Sequence, residues 1–167
     1  MPYIIFSFSM VFYSMTLQLA LYQPDIPGNT GTIIRLGACL DIGINIIEPA
    51  GFDISDRNLK RAGMDYVELA HLRRHQDWQE FTRSMAEEER RIILFTTHSD
   101  KAYYDFSFKA NDCLLFGRES AGVPEYVHNF AFERVTIPMS PHARSLNLAL
   151  SVAMAAGEAK RQILLTD

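Results

Sequence analysis

Apolar residues along this chain fall into short continuous runs separated by stretches in which they recur at helical spacing. Leu17 to Tyr22 reads as a buried strand, PDIPGN breaks the backbone, and Thr30 to Leu40 takes up a helical pattern with Ile33, Ile34 and Leu40 apolar. Ile44 to Ile47 is β-branched and ends at EPAGF. The following SDRNLKRAGMDY predicts a short, exposed basic helix starting at Ser55 or Asp56, and Val67 to Leu69 a further short strand. Asp77 to Glu89 opens with an acidic cap and carries Trp78, Phe81 and Met85 at helical spacing, ahead of a strand from Ile92 to Thr96. Cys113 to Phe116 predicts a strand, Pro124 opens a brief helical turn, Arg134 to Ile137 makes the last strand, and Leu146 to Leu164 a long helix. Strands alternating with helices predict an α/β fold, a mainly parallel sheet with helices on both faces.

The 167 residues suit one domain with a substantial core. We assign the domain to residues 15–167 and leave 1–14 outside the functional argument as an N-terminal extension. That first stretch is apolar, but it lacks a basic leader region, and Ser and Thr interrupt any spanning helix. No membrane role is expected. A net charge of −4 argues against coating of nucleic acid by bulk electrostatics, while leaving local phosphate-binding patches open. Cys39 and Cys113 sit in apolar runs with no metal-ligand spacing, so both are expected as buried thiols in a reducing cytosol, and no metal is expected.

Candidate chemistry gathers in three segments, each joining a strand-like run to a helix-like one. In PGNTGTIIRLGACL, Gly28 and Gly31 would permit a tight turn, Asn29 tolerates left-handed geometry, and Arg35 lies one helical turn beyond Gly31. In LLFGRESAGVP, Gly117 follows a buried strand, Gly122 lets backbone approach a ligand, and Glu119 lies between them. In IPMSPHARSLNLALSVAMAAGEA, Ser145, Leu146 and Asn147 open the long helix, and Ser145 reads equally well as its N-cap. Each segment taken alone also reads as an ordinary strand-to-helix loop. Neither GxxxxGK[ST] nor GxGxxG is present to make a dinucleotide or nucleotide-triphosphate loop.

Together, LALYQPDIPGNTGTIIRLGACL, IIEPAGF with LKRAGMDY, LLFGRESAGVP and IPMSPHARSLNLALSVAMAAGEA resemble the SPOUT class of AdoMet-dependent RNA methyltransferases. The resemblance is to the minimal, single-domain branch that methylates the ribose 2′-hydroxyl of the tRNA wobble nucleotide, and it spans Leu17 to about Gln162. It implies a C-terminal trefoil knot, an exception to the rule that chains avoid threading. It implies an S-adenosyl-L-methionine pocket of Phe95, Thr96, Leu115, Gly117, Ile137, Met139, Ser145 and Leu146.

The resemblance also implies a cytoplasmic homodimer acting on tRNA, with each active site taking residues from the partner's first segment. Asn29 and Arg35 would then face the target ribose, and Glu119 would orient Arg35 by a charge-assisted hydrogen bond. A free guanidinium keeps its proton at any pH below about 12. Arg35 is therefore read as positioning phosphate and stabilising developing alkoxide charge, with Ser145 or Asn147 assisting. Arg57, Lys60, Arg61, Arg73, Arg74, His142 and Arg144 are the expected RNA contacts, giving salt-sensitive binding. The activity implied is 2′-O-methylation of the wobble cytidine or modified uridine, in leucine isoacceptors. Alternatives are 2′-O-methylation of ribosomal RNA or another tRNA site, and a non-catalytic AdoMet- or RNA-binding role. Two departures stand out: Gly157 where some relatives carry an aromatic residue, and GRESAG in place of the commoner GPExxG.

Overall fold

The computed structural model describes residues 16–54 and 71–165. The predicted basic helix, with Arg57, Lys60 and Arg61, and the predicted Val67–Leu69 strand lie outside the described residues, as does the extension before residue 15. Six strands form one sheet: β1 (Gln18–Tyr22), β2 (Gly43–Ile47), β3 (Leu72–His75), β4 (Arg91–Phe95), β5 (Asp112–Phe116) and β6 (Glu133–Val135). Their order is β3-β2-β1-β5-β4-β6, and every pairing is parallel. The helices are α1 (Pro27–Leu40), α2 (Trp78–Glu87), α3 (Glu125–Phe130) and α4 (Leu148–Leu164), with a short 3-10 turn at Tyr103–Asp105. No described helix is long and apolar enough to cross a membrane.

Strand alternation sorts the core into two layers. Leu19 and Leu21 of β1, Ile44 and Ile46 of β2, and Leu114 and Phe116 of β5 pack with Ile33 and Ile34 of α1 and with the small face of α4, Ala149, Val152, Ala155, Ala156 and Ala159. The alanines let α4 lie close to α1 and the sheet. On the other face, Ala20, Tyr22, Ile92, Leu94, Cys113 and Leu115 meet Trp78, Phe81 and Met85 of α2. Each fully buried large side chain in these layers contributes about 1.5–3 kcal/mol relative to exposure.

Several sequence expectations are corrected. Helix α1 begins at Pro27, so Gly28, Asn29 and Gly31 are helical residues and not a turn; proline at the first helical position favours this earlier start. Cys39 is exposed on α1, and only Cys113 is buried, where burial pushes its thiol up to about 12. β3 was absent from the sequence reading because LRRH carries no apolar run. It pairs with β2 as an edge strand, and its arginines make ion pairs: Arg73 with Glu88, and Arg74 Nε with Glu48 Oε1 at 2.8 Å.

A polar chain crosses the α2 face of the sheet. Asn45 Nδ2 donates to Gln18 Oε1 (2.8 Å) and to the Leu19 carbonyl (3.2 Å), which leaves Asn45 Oδ1 to accept from His75 Nε2 at 2.9 Å; Gln18 Nε2 donates to Glu88 Oε2 at 3.2 Å. Donors therefore run from His75 to Glu88, which fixes a proton on Nε2 of His75. Burial holds the His75 pKa below its ordinary value of 6.5, opposed by Glu80 and Glu88 and assisted by Arg73. A depressed histidine pKa means that the unfolded chain binds the proton more readily. Stability from this group is therefore complete above about pH 6.5 and declines as the pH falls below it. Chemical denaturation between pH 7.5 and about 5 is expected to show this decline, and His75→Gln, which keeps a donor to Asn45 but cannot ionise, should flatten it. An unchanged slope in that variant assigns the decline elsewhere.

Candidate active site

The sheet changes direction of winding between β1 and β5, and in open α/β sheets ligands lie beyond the carboxyl ends of the strands at such a point. A cavity of about 550 Å³ opens there, within the size range of small-molecule sites. Its walls are the residues following β4 (Thr96 to His98), β5 (Gly117 to Val123) and β6 (Thr136, Ile137, Met139), together with Ile26 just before the first segment, Asn29 within it, and Arg144 to Leu148 before and within α4. All three sequence segments therefore meet at one place.

The apolar floor is Phe95 and Phe116, stacked with ring centroids 4.9 Å apart. Gly117 starts a tight hairpin in which Arg118 N donates to the Gly122 carbonyl (3.0 Å) and Gly122 N to the Arg118 carbonyl (2.9 Å). Gly122 has φ of 65°, in the left-handed region that favours glycine. A Cβ on Gly117 would lie 2.5 Å from the carbonyl carbon of Gly122, so the hairpin can close this tightly only around a bare backbone.

The polar mouth is a network spanning the three segments. Asn147 is the N-cap of α4, its Oδ1 accepting from Ala149 N and Leu150 N, and its Nδ2 donates to Asn29 Oδ1 at 2.9 Å. Asn29 Nδ2 donates in turn to Glu119 Oε1 at 3.1 Å, and Asp25 N donates to Glu119 Oε2 at 2.8 Å. At the other end, His98 and His128 meet edge to face with centroids 6.0 Å apart. Burial, followed by the nearby His98, holds the His128 pKa below its ordinary value.

Of the expected cofactor residues, Phe95, Thr96, Gly117, Ile137, Met139, Ser145 and Leu146 line the cavity. Leu115 does not: it is fully buried in the α2 layer, because alternation along β5 points Phe116, one residue on, toward the cavity side. Ser145 lines the cavity, and the N-cap role that was its alternative reading belongs to Asn147, two residues later. Within the chain, Glu119 gives its carboxylate to Asn29 and the Asp25 backbone, and Asn29 lines the cavity of its own chain. Arg35 is exposed on α1, outside that cavity's walls. Arg144 lines the cavity and His142 is exposed nearby. The sequence reading missed Asp25, Thr97, His98, Arg118 and His128. The first four lie two or three residues beyond the ends of β1, β4 and β5, where the alternating pattern marks a carboxyl edge; nothing local in EYVHNF singles out His128.

The cavity suits S-adenosyl-L-methionine. It pairs an aromatic and aliphatic interior, fit for an adenine and a thioether, with a backbone cradle at Gly117 that a Cβ would fill and a hydrogen-bonding mouth.

Comparison with known proteins agrees with this geometry. A tRNA (cytidine(34)-2'-O)-methyltransferase of Beijerinckia indica subsp. indica is 54% identical over 145 residues, covering 87% of this chain and 91% of the relative. Its counterpart in Ancylobacter novellus is 51% identical over 148 residues, covering 89% and 94%. Among solved structures, one reported for structural insights into the 2-OH methylation of C/U34 on tRNA superposes with a TM-score of 0.83 at 40% identity, covering 92% of this chain and 99% of that one. The SpoU methyltransferase AviRb from Streptomyces viridochromogenes, in complex with the cofactor AdoMet, superposes with a TM-score of 0.80 at 27% identity, covering 89% of this chain and 58% of that one. The model of the SpoU rRNA methylase family matches residues 16–157, and with these relatives it establishes that the chain belongs to that family.

Proposed function

We propose that this protein methylates the ribose 2′-hydroxyl of the wobble nucleotide of tRNA, cytidine or modified uridine, with AdoMet as donor. The observation that carries the reading is the junction of the three segments at one cavity, whose mouth is the Asn147–Asn29–Glu119 network. Support also comes from the relatives of similar length, which are named for cytidine-34 2′-O-methylation.

AdoMet, when bound, supplies an electrophilic methyl carbon. The protein has to align a ribose hydroxyl with it and assist loss of the hydroxyl proton. Phe95, Phe116, Ile137 and Leu146 would enclose the apolar parts of the donor, and the Gly117 hairpin would bring backbone groups against it. Glu119 and Asn29, fixed by each other and by the α4 cap, present a carboxylate and an amide at the mouth, where the ribose would sit.

Arg35, exposed on α1, acts in this reading at the cavity of a second subunit. It grips phosphate and stabilises charge developing on the attacking oxygen with its rigid donor fork. The active unit is thus a homodimer with composite sites, working in the cytoplasm, and its C-terminal segments take the knotted arrangement that the family resemblance implies. Leucine isoacceptors are the proposed substrates, and Arg144 and His142 beside the mouth the proposed RNA contacts.

The test is transfer from labelled AdoMet to tRNA lacking ribose methylation and, in parallel, to ribosomal RNA, followed by nuclease digestion and mass spectrometry of the nucleosides. A 2′-O-methylated nucleoside at position 34 is expected. Label confined to ribosomal RNA or to another tRNA position would overturn the assignment of substrate, and AdoMet binding without any transfer would overturn the catalytic reading.

A further inference from the structure

Two sequence features have no part in the reading above: the aspartate of YQPDIPGN and the IIEPAGF turn. The fold brings both behind Glu119. Asp25 meets three consecutive residues of GRES. Its backbone N–H donates to Glu119 Oε2 at 2.8 Å; its Oδ2 accepts from Ser120 N at 3.1 Å and Ser120 Oγ at 2.5 Å; its Oδ1 faces Arg118 Nε at 3.7 Å. Asp25 is itself held from the other side. Gly51 N of the IIEPAGF turn donates to the Pro24 carbonyl at 2.9 Å, and Gln23 N to the Ile47 carbonyl at 2.9 Å. A Cβ on Gly51 would stand 3.2 Å from both Cα and Oδ1 of Asp25, so the turn abuts the aspartate with no room for a larger residue without a shift.

We propose that Asp25, backed by the IIEPAGF turn, is a positioning residue for methyl transfer: it clamps the Glu119 hairpin from behind and sets where the Glu119 carboxylate meets Asn29. The inference rests on the function proposed above and names a residue that acts through Glu119, not on the substrate. The Ser120 hydroxyl, the largest influence, holds the Asp25 carboxyl below its usual range, with the Ser120 amide and Arg118 acting the same way against partial desolvation. The clamp is therefore charged throughout the neutral range. Arg118 fits the same design. Its N–H closes the hairpin to the Gly122 carbonyl, a bond that the proline of the commoner GPExxG pattern could not donate, and its guanidinium faces Asp25.

A clamp of this kind matters because alignment of the reacting groups is steep in distance: a misplacement of about 1 Å costs on the order of a hundredfold in rate. The experiment compares Asp25→Ala, Asp25→Asn, Ser120→Ala and the Asp25→Ala/Ser120→Ala double variant of the full chain. Steady-state and single-turnover transfer to tRNA, AdoMet affinity by calorimetry and thermal stability are measured on each. The expected result is a kcat lowered by about ten- to a hundredfold in Asp25→Ala, with KM for tRNA, AdoMet affinity and Tm close to wild type. Asp25→Asn, which keeps one acceptor without the charge, should fall between Asp25→Ala and wild type. The double variant should be no worse than Asp25→Ala, since both changes open one contact.

A kcat within about twofold of wild type, or a fall in kcat matched by parallel loss of AdoMet binding and Tm, would overturn the proposal. If the wild-type protein itself transfers nothing to tRNA, the functional reading fails separately. The clamp is then read from amide hydrogen exchange of Ser120, whose N–H donates to Asp25 Oδ2 and which Asp25→Ala must accelerate; unchanged exchange overturns it.

Discussion

Replacing Gly117 with alanine is expected to abolish AdoMet binding at working concentrations while leaving the sheet folded. The three atoms nearest the added Cβ would all be backbone of Gly122: its carbonyl carbon at 2.5 Å, its Cα at 2.7 Å and its oxygen at 2.9 Å. No rotamer change relieves such a contact, so the hairpin has to open and lose the two bonds between Arg118 and Gly122. Overpacking costs about 1–3 kcal/mol, and each lost hydrogen bond about 0.5–1.5 kcal/mol. A cradle weakened by about 3 kcal/mol lowers affinity by roughly a hundredfold at 1.4 kcal/mol per decade. The hairpin lies outside both core layers, so far-UV circular dichroism and the urea midpoint should change little. Wild-type affinity by calorimetry in this variant would mean that the cofactor does not approach the Gly117 backbone.

Subunits that are each inactive are expected to restore one another. Arg35→Ala leaves the cavity of its own chain intact, whereas Gly117→Ala leaves Arg35 intact. If Arg35 serves the partner's cavity, a mixed dimer contains one complete site. Random pairing makes about half of the dimers mixed, each with one good site of two, so about a quarter of wild-type activity should return. Neither variant alone should exceed a few per cent. Leu146, which lines the cavity just before α4, and Leu150 and Met154 on α4 are exposed apolar residues four apart, a row that begins at the cavity and from which a second subunit could reach the site. Recovery absent from co-expressed, co-purified mixtures would show that Arg35 works within its own chain or not at all. Arg35→Lys separates charge from fork geometry: near-normal turnover in that variant would remove the bidentate role.

The pattern of apolar runs was enough for the strand–helix alternation, because a parallel sheet buried on both faces needs continuous apolar strands, and β1, β2, β4 and β5 have them. It failed at β3, whose LRRH is an edge strand carrying two ion-paired arginines, and it started α1 three residues late and ended β6 two residues late. Caps and edges depend on hydrogen bonds that the residue pattern does not display. Ser145 and Asn147 are both good N-cap residues, and only the position of the first helical turn decides between them.

The three segments that build the cavity were legible, since Gly, Asn, Ser and Arg collect where strands end. Their assembly was not. Asp25 and Ser120 are 95 residues apart, and Asn29 and Asn147 are 118 apart. Nothing local couples either pair; they meet because β1 and β5 are neighbours in the sheet and α4 packs against α1. The same logic separated Leu115 from Phe116. Both are large, apolar and buried, and a one-residue difference in a period of two sends them to opposite faces. The sequence by itself determined the class of fold, the three loops and the chemical types they carry, because these follow from local periodicity and composition. Only the tertiary structure decided which of those side chains touch. Hydrogen-bond partners are set by sheet order and strand register, which are properties of the whole chain.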